Sequence, residues 1–203
     1  MGDERAGRIA GVVLAAGTSS RMGKNKLFLE FGGTSVLRRA VATAVEADLD
    51  PVLVVLGHES DRARAELADI PCTAVLNEEY AIGMNTSVKA GIAAVPSDAA
   101  GAVLMLADMP LVDAAMLRAL VDRYRASNAP LVVSTYGEVL APPILYGREL
   151  FAELRALDAA ACGKRVVKQH RHEAIELRWP VSALTDLDVP EDVERVRAAV
   201  EGA

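Results

Sequence analysis

The sequence predicts an α/β protein with a mostly parallel sheet, and three observations predict it. Short β-branched apolar runs alternate with longer segments rich in Ala, Leu and Arg. The runs are continuously apolar rather than alternating, as in strands covered on both faces. Polar stretches follow several runs directly, at the carboxyl ends of strands, where open α/β sheets collect ligands.

Taken in order, residues 9–14 read as a buried strand. Residues 35–47 read as a helix with Thr34 or Ser35 as its N-cap. A second strand is expected at 51–56, a short helix at 60–68 and a third strand at 72–76. Helical spacing marks 85–95, a buried strand 102–106, and a strongly periodic helix 114–126. Two strands, 131–134 and 143–146, precede helices at 148–157 and 164–170. An edge strand at 174–177 and a closing helix at 191–200 complete the pattern. No internal repeat or low-complexity linker is present.

The composition excludes several classes. With 203 residues, 52% hydrophobic and 25% charged, residues 1–203 are expected to form one domain, flexible at 1–7 and 201–203. A net charge of -6 argues against nucleic acid as a partner. Two cysteines, Cys72 and Cys162, with no CxxC spacing argue against structural zinc and for a reducing compartment. There is no apolar leader and no apolar run long enough to span a membrane, so a cytoplasmic location is expected.

The most informative stretch is LAAGTSSRMGKNK, residues 14–26. Gly17 lets a phosphate approach the backbone, and successive N–H groups in such a turn form an anion nest. Arg21 offers a fork for phosphate oxygens and Lys26 a point charge. Two familiar phosphate loops do not fit. Five residues separate Gly17 from Gly23, where a Walker loop needs four, and Asn25 follows Lys24 where it needs Ser or Thr. Position 19 is Ser, which breaks the dinucleotide fingerprint. A basic, solvated turn is the competing reading.

This stretch closely resembles the LAAGxSxRMGxxK signature of the MobA-like nucleotidyltransferases, and more narrowly the molybdenum cofactor cytidylyltransferases. The resemblance runs from about Arg8 to Val200. It implies a Rossmann-like three-layer α/β/α nucleotidyltransferase fold with a mostly parallel sheet. It also implies Mg²⁺-dependent transfer of a nucleoside monophosphate from an NTP to a phosphate-bearing acceptor, with pyrophosphate released. By the same resemblance, Leu14, Ala15, Ala16, Gly17, Thr18, Ser19 and Ser20 bind nucleotide, and Arg21 and Lys26 act on its phosphates. The family's GTP users typically read Leu-Ala-Gly-Gly where this chain has Ala16, so CTP is the donor the resemblance favours.

Other stretches fall into the same frame. ADMP at 107–110 resembles the family's GDMP, which makes Asp108 a metal ligand and catalytic residue; by its position alone Asp108 serves equally as a turn former. TDLDVPED at 185–192 resembles DIDTPED, which makes Asp188, with Asp186 as the alternative, the second Mg²⁺ ligand. Helix capping is its plainer reading. GMNTSVKAGI at 83–92 resembles a segment near base and ribose. That assigns nucleotide contact to Gly83, Asn85, Thr86 and Ser87, and Asn77 joins them at the end of its strand. Asn85, Thr86 and Ser87 are also a plausible N-cap cluster. Ala141-Pro142-Pro143 stands where many relatives have Gly-His-Pro, a departure on the acceptor side. Gly163, Lys164 and Arg165 read either as an acceptor-binding helix start or as a solvated basic face. His58, His170 and His172 lack metal spacing and read as surface or structural.

The reaction this implies is CMP transfer from CTP to the phosphate of molybdopterin, with a molybdenum hydroxylase as the downstream partner. The alternatives are another acceptor, GTP as donor, or a non-catalytic pterin carrier.

Overall fold

The computed structural model describes residues 7–18, 25–157, 163–185, 187 and 190–201. The first strand, β1 (Ile9–Ala15), is buried along its whole length. Its side chains alternate between two cores. Ile9, Val13 and Ala15 enter one, and Ala10, Val12 and Leu14 the other. That is why the run is apolar at every position.

A 3-10 turn (Lys26–Phe28) and a small hairpin of β2 (Glu30–Phe31) and β3 (Thr34–Ser35) follow. The hairpin turns on Gly32 and Gly33, both at positive φ (59° and 74°), which the sequence reading did not anticipate. Then come α1 (Val36–Glu46), β4 (Val52–Leu56), α2 (Ser60–Glu66), β5 (Thr73–Leu76), α3 (Met84–Ala94), β6 (Gly101–Leu106) and α4 (Ala114–Arg125). Ser35 is the N-cap of α1, accepting from the Arg38 N–H at 3.2 Å, and Asp113 caps α4, accepting from Met116 at 2.8 Å. The chain continues through β7 (Leu131–Tyr136), β8 (Val139–Gly147), α5 (Phe151–Arg155), α6 (Lys164–Gln169), β9 (Ile175–Trp179) and α7 (Pro190–Glu201).

The main sheet has the order β5-β4-β1-β6-β8-β7-β9. β5, β4, β1 and β6 are mutually parallel, β8 runs against both neighbours, and β7 pairs parallel with β9 at the edge. One core packs residues of α1, α4 and α7 on the sheet, and the other residues of α3, α5 and α6. The architecture is therefore the three-layer α/β/α, mostly parallel fold that the sequence implied.

Two expectations need correction. The strands expected at 131–134 and 143–146 are one longer hairpin, turning at Gly137 (φ 62°). Prolines 142 and 143 suggest a break because they cannot donate to a ladder. Here the β7–β8 register shifts between Val132 and Ser134 to accommodate them, and the Ser134 hydroxyl donates to the Pro143 carbonyl at 2.7 Å. The helix expected at 148–157 is a 3-10 turn (Arg148–Leu150) followed by the short α5. Arg148 there donates to the carbonyls of Pro96 and Ala99.

Candidate active site

β1 and β6 lie side by side, in register from Ile9↔Gly101 to Leu14↔Leu106, so both end at the same level. The Ala107 N–H continues the ladder to the Leu14 carbonyl at 3.0 Å. Beyond these ends opens a cleft of about 170 Å³, walled by Leu14, Ala15, Ala16, Gly17, Lys26, Leu27, Tyr80, Met84, Ser87, Leu106 and Asp108. Asp108 and Lys26 face each other in it, with Lys26 Nζ 2.6 Å from Asp108 Oδ2. Their side chains are 14% and 21% exposed for Lys26 and Asp108 respectively, which leaves the pair open to a ligand yet partly shielded from water. Ala107 is fully buried in the core.

The loop that follows β1 keeps Gly17 exposed, and nothing lies within 4 Å of where a Cβ would stand there. Its free face suits close approach of a ligand to the backbone. Thr18 is exposed beyond it. Ser19, Ser20 and Arg21 lie outside the described residues, as does Asp188 with its alternative Asp186. Leu187 is buried, and its N–H meets the Asp108 carbonyl at 3.3 Å.

Residues of the 77–87 stretch divide into two groups. Ser87 walls the cleft, whereas Asn77, Asn85 and Thr86 are buried and do not. The Asn77 amide donates to the hydroxyls of Thr86 and Ser87, both at 2.9 Å, and its carbonyl accepts from the Glu79 N–H at 3.0 Å. The Thr86 hydroxyl in turn faces the carbonyls of Gly83 (2.8 Å) and Glu79 (3.0 Å). These polar groups satisfy one another and fix the loop before α3, which makes them a support for Ser87 and Met84. Gly83 precedes the helix as its N-cap residue. α3 itself rests directly on the sheet, because Gly91 leaves no room for a Cβ against Val12.

Tyr80 was not singled out by sequence reasoning. Its ring packs on the backbone of Gly57, where a Cβ would come within 2.5 Å of it, and this sets the ring as one wall of the cleft. Leu27, Met84 and Leu106 are the other walls that the motifs did not assign to the site. A larger recess, about 500 Å³, lies at the opposite end of the sheet beside Asp98, Tyr124 and Arg148. Its polar groups are engaged with the protein: the Tyr124 hydroxyl donates to the Ala100 carbonyl at 3.0 Å, and Asp98 is held by Arg8.

Among the described residues, no group of three or more His, Cys, Asp or Glu side chains is arranged to hold a metal. His170 is committed elsewhere, between Glu153 (2.9 Å) and Glu173 (3.3 Å). The Glu153 carboxylate above all raises its pKa. Burial pushes the Cys72 thiol up, which leaves it a poor nucleophile. No helix among the described residues is long and apolar enough to cross a membrane.

A cleft at the carboxyl ends of parallel strands, with an exposed glycine backbone, a cation and a carboxylate, marks an α/β enzyme that handles phosphorylated nucleotides. The chain belongs to the MobA-like NTP transferase family, whose domain model matches residues 11–174, and it is a nucleotidyltransferase. It is 31% identical to the purine catabolism protein PucB of Bacillus subtilis (strain 168), over 95% of this chain and 97% of that protein. It is 34% identical to the bifunctional protein GlmU of Rhodococcus opacus (strain B4) over 68% of this chain, but spans only 29% of GlmU. Among solved structures it is similar to Rv0371c of Mycobacterium tuberculosis H37Rv, with a TM-score of 0.81 and 31% identity over 94% of this chain and 98% of that one. A complex of Rv0371c with manganese superposes with a TM-score of 0.79 at 30% identity, over 97% of this chain and all of that one.

Proposed function

We propose that this nucleotidyltransferase moves CMP from CTP to the phosphate of molybdopterin in its molybdenum-loaded form, releasing pyrophosphate, with Mg²⁺ as cofactor. The observation that carries the reading is the Lys26–Asp108 pair, 2.6 Å apart in a cleft walled by the LAAG backbone. The donor set fits a hard cation of this kind. Mg²⁺ is ordinarily held by one or two carboxylates together with substrate phosphates rather than by an all-protein cage, and Asp108 is such a carboxylate. The manganese complex of Rv0371c supports a divalent-metal site in this family. Asp188 is the second ligand on motif grounds. Bound there, the metal would offset phosphate charge.

The chain's own residues supply binding and alignment. An acceptor phosphate oxygen forms a bond to the α-phosphorus as the bond to the β-bridging oxygen breaks in line, and pyrophosphate leaves with the electron pair. No covalent enzyme intermediate is needed, so positioning and charge neutralisation carry the rate. Gly17 and the backbone around it receive the phosphates. Lys26, already oriented by Asp108, neutralises the charge that builds on them, and Arg21 joins it on motif grounds. Ser87 offers a hydroxyl to the nucleoside. The start of β8 lies toward the carboxyl end of β6, which supports reading Ala141-Pro142-Pro143 as part of the acceptor side. CTP as donor and pterin as acceptor rest on the family resemblance of the LAAG sequence. On this reading, a molybdenum hydroxylase in the same cytoplasmic compartment receives the product.

The test is thermal denaturation with Mg²⁺ and each of CTP, GTP, UTP and ATP, followed by pyrophosphate release with molybdenum-loaded molybdopterin. Ligand at a hundredfold excess over Kd stabilises the folded state by about 2.7 kcal/mol. The expected result is a Mg²⁺-dependent shift with CTP, weakened in Asp108→Ala, and pyrophosphate release. A larger shift with GTP would replace the donor. Binding without release would replace the acceptor, and no shift with any nucleotide would favour a pterin carrier.

A further inference from the structure

Lys26 begins a 3-10 turn of three residues, Lys26–Phe28, too short to hold its own orientation. Its anchor is Asn25, whose side-chain oxygen accepts from the Leu27 N–H at 3.2 Å and whose carbonyl accepts from the Phe28 N–H at 3.2 Å. The Asn25 amide in turn donates to Glu59 Oε2 at 2.9 Å, from a residue 34 positions away in the loop between β4 and α2. Glu59 is unusual in two respects. It is a non-glycine residue in the left-handed region (φ 53°, ψ 36°), which such residues adopt only where their surroundings hold them. It also occupies the N-cap position of α2 yet makes no side-chain cap bond, so its carboxylate is left to the side chains around it.

The other end of the turn is held from the same place. Arg62, on the first turn of α2, meets Glu59 Oε1 at 3.2 Å and lays its guanidinium 3.8 Å above the Phe28 ring. The His58 N–H reaches the Ala16 carbonyl at 3.4 Å, so this loop touches the LAAG strand end as well. The Asn25 hydrogen bond, more than the Arg62 charge, holds the Glu59 carboxyl below the usual carboxylate range, so it is the ionised form that grips the amide.

We propose that Glu59 is a positioning residue for the reaction: through Asn25 it sets the turn that aims the Lys26 ammonium across the cleft. This rests on the reading above, in which Lys26 meets the triphosphate. Glu59 is not among the residues that wall the cleft, and it matters because small displacements of a phosphate-binding cation are costly.

The pair allows a donor–acceptor exchange as the test. Asn25→Asp turns two carboxylates on each other but keeps the oxygen that accepts from Leu27. Glu59→Gln keeps an acceptor for Asn25. The double variant reverses the bond, with the glutamine amide donating to the aspartate. The four chains and Lys26→Ala are compared for Mg²⁺–CTP affinity, for turnover by pyrophosphate release, and for thermal midpoint. Asn25→Asp is expected to lose about tenfold or more in kcat/KM and in affinity. Glu59→Gln should stay near native, and the double variant should recover most of the loss, a coupling of about tenfold. If Asn25→Asp does not fold, Glu59→Ala replaces it, with the same expected loss at an unchanged fold. The proposal is overturned if Lys26→Ala is impaired while Asn25→Asp or Glu59→Ala behaves as native. It is equally overturned if the double variant is no better than Asn25→Asp. If Lys26→Ala itself binds and turns over as native, the reading of Lys26 falls, and the role of Glu59 falls with it.

Discussion

At the carboxyl ends of β1 and β6, Lys26 meets Asp108 with side chains 14% and 21% exposed; at the amino ends of the same strands, Arg8 meets Asp98 with side chains 45% and 66% exposed. Arg8 also reaches Asp50, just before β4, at 3.3 Å. Both ends thus carry a cation between neighbouring strands, and burial separates their uses. A solvated pair is screened and contributes little, whereas one in a shielded cleft keeps a strong local field. At the amino end the polar groups are consumed by the protein, as Arg148 shows by donating to the Pro96 and Ala99 carbonyls. The carboxyl end instead leaves Gly17 exposed and a cation–carboxylate pair facing an open cleft. Cleft volume by itself would have chosen the amino end, since the recess beside Arg148 is the larger.

The contrast is broken most directly by paired substitutions. Lys26→Ala and Asp108→Ala should each lower turnover by about 10²–10³-fold, measured by pyrophosphate release, at a nearly unchanged thermal midpoint. Arg148→Met should do the reverse: about 1–3 kcal/mol lost in urea denaturation, because two part-buried carbonyls lose their donor, with turnover kept. A stability loss in Lys26→Ala equal to that of Arg148→Met would erase the distinction. Next in size is Gly57→Ala. Its methyl group would push the Tyr80 ring from the cleft wall, costing about 1–3 kcal/mol and raising the nucleotide KM together.

A smaller effect sharpens the comparison by separating the pH dependence of stability from that of turnover. His170 is raised chiefly by Glu153, so its folded pKa exceeds the unfolded value of about 6.5. Its stabilisation is therefore complete below that value and is lost as pH rises through the raised one. His170→Gln should flatten this alkaline loss in a pH series of thermal midpoints, with the pH profile of turnover unchanged. The smallest effect belongs to Arg8→Gln. Arg8 holds Asp98 below the usual carboxylate range, so the contribution is present above the unfolded carboxylate pKa and fades as pH falls through the depressed one. The variant should match native in turnover and differ only slightly in acid stability at low salt.

The sequence by itself determined the layers, because periodicity reports which faces are buried. The continuous apolar runs of β1, β4 and β6 and the periodic helix α4 were legible to within a residue or two. Gly17 and Asp108 were legible because each stands just past a strand's end, and Lys26 because it closes the motif that follows β1. Tertiary structure alone decided the rest. Whether Asn77 and Thr86 face a ligand or each other depends on how the loop after β5 folds back on α3. The Pro-Pro segment stays within β8 only because β7 shifts register beside it. The bond from the Asn25 amide to Glu59 joins loops that no local pattern links. Local sequence fixes which residues are buried and where a strand stops; which polar side chains meet across a cleft depends on distances set by the whole packed sheet.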